Sequence, residues 1–204
     1  MIDSLSGETR GWAMYQGLLC EVGFYRLLLR LDEDLAQAER SLGCWRCGQA
    51  LHVSDYARKP RGVPAGLGER YRERLSFCCA DRQCRKRRTP PSLRFLGPKV
   101  YLGAVVVLIS AMRCGPTPAR MRRLHELVGV SRHTVARWRA WWSEQLPDTR
   151  FWQGAAGTLM PPVCVRALPA SLLERFVGTC EQQLLSLLRM LLPISTGSRP
   201  VHVA

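Results

Sequence analysis

Cys44-Trp-Arg-Cys47 and, about thirty residues later, Cys79-Ala-Asp-Arg-Gln-Cys84 decide how this chain reads. Each pair is spaced for a tight turn that can aim two thiolates at one point. Two such turns supply the four ligands of a tetrahedral Zn2+ site. The sequence therefore predicts a zinc ribbon with one structural zinc on Cys44, Cys47, Cys79 and Cys84.

Strand alternation separates the adjacent cysteines. Tyr71, Leu75, Phe77 and Cys79 share one face, and Arg72, Arg74, Ser76 and Cys78 share the other. Cys79 is favoured because it lies on the apolar face. Cys78 stays open as its alternative, since a knuckle can break alternation. A redox dithiol at Cys44/Cys47 is the rival reading. That chemistry expects a βαβ setting with the first cysteine at a helix start, whereas this pair follows a helix and precedes a strand.

Outward from the ribbon, Gly23–Leu42 reads as an amphipathic helix. Phe24, Leu27, Leu28, Leu31, Leu35 and Ala38 recur at helical spacing, with Asp32, Glu33, Asp34 and Glu39 on other faces. Gly43 closes it. Met1–Glu21 is weakly patterned and reads as partly loose. Within the ribbon, Leu51–Tyr56 alternates as a strand, and the Pro/Gly-rich stretch 58–68 reads as a mobile basic loop. Arg85-Lys86-Arg87-Arg88 follows the last cysteine directly. With Arg58, Lys59 and Arg61, it is expected to hold phosphates.

The bulk charge agrees. The 204 residues carry 30 Lys plus Arg against 16 Asp plus Glu, a net charge of +14, and nearly all the bases are Arg. The planar guanidinium fork suits phosphate and guanine edges. Nine cysteines, an odd and clustered set, argue against a disulfide scaffold. With no basic-then-apolar leader, a cytoplasmic, nucleoid-associated protein is expected. The apolar runs Val100–Met112 and Leu184–Leu192 fall short of the ~20 residues that span a bilayer. They read as core helices, so no membrane partner is expected, and no small-molecule substrate is evident.

Pro98 can start a helix over Lys99–Arg113, although Val105–Ile109 would also suit a buried strand; Gly115-Pro-Thr-Pro118 breaks it. A helix from Pro118 to about Val128 follows, with Met121, Leu124, Leu127 and Val128 on one face. Gly129 supplies a turn and Ser131 an N-cap for the next helix. There Val135, Trp138 and Trp142 form the buried stripe. Arg132, His133, Ala136 and Arg137 lie elsewhere, where a recognition helix meets base edges.

The string Gly129-Val-Ser-Arg-His-Thr-Val-Ala-Arg-Trp138 resembles the turn and recognition helix of transposase-type helix-turn-helix domains. The cysteine module resembles the transposase zinc ribbon of bacterial insertion-sequence proteins, and the order of the two agrees as well. Together they cover about residues 44–145. The resemblance implies that Ser131, Arg132, His133, Thr134 and Arg137 face double-stranded DNA, and that the four cysteines hold structural zinc. It also implies an RNase-H-like domain with three metal-binding carboxylates, for which the stretch after residue 145 is too short. Its acids are few: Asp148, Glu174 and Glu181. The expectation is a non-catalytic DNA-binding protein of mobile-element type. The alternatives are a truncated transposase or nuclease and, further off, a C-x-x-C thiol oxidoreductase.

After Pro147 a connector runs to Pro169. Ser171 then caps one helix reaching about Leu192, whose broad apolar surface (Leu172, Leu173, Phe176, Cys180, Leu184, Leu187, Leu188, Leu191) packs on the body or pairs two copies in a homodimer. Residues 194–204 read as a loose tail. Cys20, Cys114, Cys164 and Cys180 read as core or semi-buried thiols. The expected class is α+β, mainly α, in four segments: an N-terminal helix (1–42), the ribbon (43–97), a helix-turn-helix unit (98–146) and a C-terminal part (147–204).

Overall fold

Helix α1 (Val22–Ser41) starts where the Glu21 carboxylate accepts from the Gly23 amide at 3.0 Å and ends in the turn before Cys44. It buries Phe24, Tyr25, Leu28, Asp32 and Ala36. The inward stripe is thus rotated from the one the apolar residues alone suggest, and it carries Asp32, which the periodicity puts on another face. The structure, a computed structural model, describes residues 17–97, 99–112 and 117–196. The expectations for 1–16, Pro98, Cys114 and the Gly115-Pro116 break lie outside the described residues, as does the tail from 197.

Strands β1 (Leu51–Val53), β2 (Tyr56–Ala57), β3 (Glu73–Arg74), β4 (Phe77–Cys79) and β5 (Arg87–Arg88) build the ribbon. β1, β4 and β5 form an antiparallel sheet in the order β1-β4-β5, and β2 pairs with β3 as a second small antiparallel sheet. Leu51 lies opposite Cys79, and Cys78 opposite Arg87. A sheet this small buries little of its own: its core is Ala36, Cys44, Leu51, Leu75, Phe77 and Cys79, with Cys84 packed alongside. The expected single strand over 51–56 is broken at Ser54-Asp55, where the Asp55 carboxylate accepts from the Ser76 amide at 2.8 Å. Residues 69–72 form a 3-10 turn, which takes Tyr71 and Arg72 out of the expected strand.

The larger core gathers around α2 (Gly103–Ser110), every residue of which is buried. This settles the helix-or-strand ambiguity at Val105–Ile109 in favour of a helix shorter than expected. Each Val, Leu or Ile so buried contributes about 1.5–3 kcal/mol of transfer free energy. Helix α3 (Pro118–Val128) has the Thr117 hydroxyl as cap and Pro118 in its first turn. It ends at Gly129, in the left-handed region at φ +67°, where a Cβ would be strained. The Ser131 hydroxyl accepts from the Thr134 amide at 3.3 Å and starts α4 (Arg132–Ala140), which continues through a π-helical turn over Trp141–Gln145.

Helix α5 (Arg150–Ala156), a 3-10 turn (Val165–Ala167), α6 (Ala170–Leu173) and α7 (Cys180–Met190) complete the body. The stretch expected as plain connector therefore contains α5, held by the Thr149 cap and the buried Trp152. The expected single C-terminal helix is two. Thr179 and Gln182 form a reciprocal capping box that starts α7 afresh. Leu184, Leu187, Leu188 and Leu191 are buried within the chain's own core, where α7 packs against α2. A homodimer would need another surface. Ser195, expected in the loose tail, is buried; its hydroxyl accepts from the Ser92 amide at 2.9 Å.

One apolar cluster runs from Leu19 through α1, α2, α3 and α4 to Leu191. The N-terminal helix, the helix pair and the C-terminal part share that core with Tyr71, Leu93, Phe95 and Leu96, and the sheet that carries the cysteines is a satellite. The two are bolted together. Arg94, fully buried, donates to Asp32 at 2.8 Å, to the Tyr71 carbonyl at 2.7 Å and to the Glu73 carbonyl at 3.1 Å. The Leu93 amide and the Ser92 hydroxyl donate to the same carboxylate. Arg74 is buried too, donating to the Pro90 carbonyl at 2.5 Å, and Ser76 is buried beside it. The face of 71–79 opposite Cys79 is therefore largely interior.

Candidate metal centre and cationic face

The first knuckle closes when the Cys44 amide donates to the Gln49 carbonyl and the Gly48 amide donates to the Cys44 carbonyl, both at 2.8 Å. The second closes on Asp81, whose carbonyl accepts from the Cys84 and Arg85 amides and whose carboxylate accepts from the Gln83 amide. In each, the residue after the second cysteine has positive φ: Gly48 at +72° and Arg85 at +45°. That left-handed step turns the backbone under its own sulfur. Arginine carries a Cβ cost there that glycine escapes.

The four sulfurs of Cys44, Cys47, Cys79 and Cys84 lie within 4.8 Å of one another. Cys44 Sγ is 3.7 Å from Cys84 Sγ, and Cys47 Sγ is 3.4 Å from Cys79 Sγ. A disulfide needs ~2.05 Å, so neither pair is bonded. A tetrahedral ion with ~2.3 Å bonds to sulfur has edges of ~3.8 Å, close to both distances. The cluster can hold one metal ion. Amides of Arg46 and Cys47 pull the Cys44 thiol down to about 6, and burial pushes the Cys79 thiol up to about 12. Cys78 stands apart on the outer side of β4, half-exposed, with its Sγ 3.6 Å from the Arg85 carbonyl. Of the two adjacent cysteines, Cys79 joins the cluster. Cys44 and Cys47 each approach a sulfur of the second knuckle, so the C-x-x-C is half of a four-sulfur cage.

The remaining thiols scatter. Cys180 is half-buried, but Cys20 and Cys164 are exposed, contrary to their reading as core or semi-buried.

The expected DNA-facing residues divide. On α4, Arg132, His133 and Arg137 are exposed, and Val135, Trp138 and Trp142 are buried on the opposite side. Thr134 does not belong with the exposed set: it is 7% exposed, and its hydroxyl lies 3.1 Å from that of Ser131. Ser131 is exposed but occupied as the helix cap. An open groove between α3 and the start of α4 is bordered by Arg122, His125, Ser131 and Arg132.

The ribbon cations divide in the same way. Arg85 and Lys86 are exposed. Arg87 is exposed but leans on Tyr56, 5.9 Å from the ring centroid, and donates to the Ser54 hydroxyl at 3.1 Å. Arg88 is half-buried and paired with Glu39 of α1. Arg58 is half-buried, stacks on Phe95 and donates to the Gly97 and Lys99 carbonyls at 2.6 and 3.0 Å. The loop expected as mobile is thereby tied to the body, and Arg61 reinforces this through a backbone bridge to Tyr101. Lys59 and Arg61 keep their side chains outside.

No family model, curated protein or solved structure matches the chain. Sequence reading also missed a lysine. Lys99 places its ammonium 4.2 Å from the centroid of the Trp141 ring, and the signal available beforehand was only a cation next to the proline that opens an apolar run. Among the described residues no helix is long and apolar enough to cross a membrane.

Proposed function

We propose that this chain is a non-catalytic protein that binds double-stranded DNA, of the transposase-associated type, with one structural zinc in its four-sulfur cage. In this reading α3, the Gly129 turn and α4 act as a helix-turn-helix. The observation that carries it is α4 itself. Its exposed side presents Arg132, His133 and Arg137, and its other side is locked into the core by Val135, Trp138 and Trp142. A rigid helix whose first turn holds Arg132 and His133 outward is what base-edge reading requires. Arg85, Lys86, Lys59 and Arg61 extend the positive surface along the ribbon, where phosphates rather than bases would be met. Zinc supplies the cohesion that the small ribbon core lacks. It takes no part in chemistry, since four thiolates leave no open coordination position.

Titrating labelled duplex at several salt concentrations tests the reading. With about six phosphate contacts, log K falls against log salt with a slope near −5. A flat salt response would sink it. Metal analysis of the purified protein is expected to return one zinc per chain, with no Mg2+-dependent nicking of the bound duplex. Among variants, Arg132→Ala changes which sequences are preferred.

A further inference from the structure

We infer that Lys99 and Arg137 form a seat for one phosphodiester of the DNA backbone at the rear edge of the α4 face, so that Arg137 grips the strand and does not read bases. The inference rests on the DNA-binding reading above and assigns one site within it. Lys99 lies outside the ribbon and outside α4, yet its ammonium sits 4.2 Å from the Trp141 ring centroid. Arg137 precedes Trp141 by four residues along α4 and its π-helical continuation. Residues so spaced are neighbours on one face of a helix, so the ring that carries the ammonium also brings it beside the guanidinium.

Among the described residues neither cation is in an ion pair, and the charge acting on Lys99 is that of Arg137. Burial first, and then Arg137, lowers the Lys99 amine to about 8. Two cations gathered without an acid are unfavourable in isolation. They become favourable when an anion bridges them. The Trp141 π-face holds the ammonium in place. The Lys99 backbone is pinned as well, because Arg58 donates to its carbonyl at 3.0 Å. A compact ammonium beside a planar fork suits the two free oxygens of a phosphodiester. Position along the helix separates gripping from reading. Arg132 and His133 occupy the first turn, the part of a recognition helix that meets base edges. Arg137 and Lys99 lie further back.

The test measures binding of the full chain to two duplexes, one selected by the protein and one scrambled, across a range of salt. Lys99→Gln and Arg137→Gln are each expected to weaken both duplexes by the same factor, roughly tenfold. Each should also make the salt slope shallower by about one, and Lys99→Arg should restore the slope. An unchanged slope in both Gln variants overturns the seat, as does an Arg137→Gln protein whose preference for the selected duplex shifts. Arg137 is exposed, so its variant reads the site even if Lys99→Gln disturbs folding. A flat slope in the unaltered protein overturns the seat together with the DNA-binding reading. A steep slope that the variants leave untouched overturns the seat alone.

Discussion

The Asp32 carboxylate accepts from the Leu93 amide, the Ser92 hydroxyl and the Arg94 guanidinium with 1% of its side-chain surface left to solvent. Taking one partner away strands the other. Breaking a buried ion pair costs about 3–5 kcal/mol, more than the pair contributes relative to a well-packed apolar substitute. Asp32→Ala is therefore expected to lose about that much in urea unfolding, and a loss below 1 kcal/mol would show that Arg94 finds another partner. This pair was hidden for a physical reason. A carboxylate four residues after Leu28 and four before Ala36 occupies the core stripe, yet its partner lies 62 residues away, and sequence spacing carries no information on such a contact. The cysteines were legible because metal chemistry is local. Two short spacings fix two ligands each, and the alternation of 77–79 distinguishes Cys79 from Cys78 through burial alone. The burial of Thr134 was not legible because its place three residues after the Ser131 cap turns its hydroxyl toward Ser131 and its body inward.

At the scale of elements, the α3 and α4 helices and the turn at Gly129 were readable, but the π-helical continuation over Trp141–Gln145 was not. Punctuation and periodicity agree there: Thr117 and Pro118 open it, Gly129 bends it, and Ser131 restarts it. The Tyr101 hydroxyl donates to the Gly129 carbonyl at 2.8 Å while its ring meets Trp138 edge-on at 5.0 Å. The turn is thus held from outside the pair as well. Gly129→Ala forces a Cβ into φ +67° and is expected to cost about 1 kcal/mol or somewhat more, seen as a lowered midpoint of thermal unfolding. An unchanged midpoint would mean the turn relaxes without strain. The C-terminal helices failed to separate in the sequence because apolar spacing runs through Leu173, Phe176 and Cys180 without interruption. Periodicity reports a face and is silent on whether the backbone continues. The overlooked signal was Thr179-Cys-Glu-Gln182, whose hydroxyl and amide satisfy each other's helix-end groups.

For the whole molecule, the two cores differ in what holds them. The large cluster is built from aliphatic and aromatic side chains, whereas the ribbon cluster includes Cys44 and Cys79 themselves. If zinc occupies the cage, chelation removes the tie between the knuckles and leaves four thiols crowded together. The expected result is selective: the far-ultraviolet helical signal survives chelation, while the ribbon amides, such as those of Cys44 and Cys79, lose hydrogen-exchange protection. Loss of the helical signal together with the ribbon would show one cooperative unit. Segmentation from sequence drew four pieces because it follows motifs. Burial joins all four, since α1, α2 and α7 cover their apolar faces on one another and the large core also takes in Tyr71, Leu93, Phe95 and Leu96 of the ribbon segment.

The Asp32–Arg94 bolt also bears on what part of this protein can be moved elsewhere. A ribbon excised at residue 43 would leave behind Ala36, a member of its core, and Glu39, the partner of Arg88. It would also part Arg94 from Asp32, the carboxylate on α1 that its buried guanidinium meets. The smallest portable ribbon begins inside α1, and the border between modules falls within a helix, not in a loop.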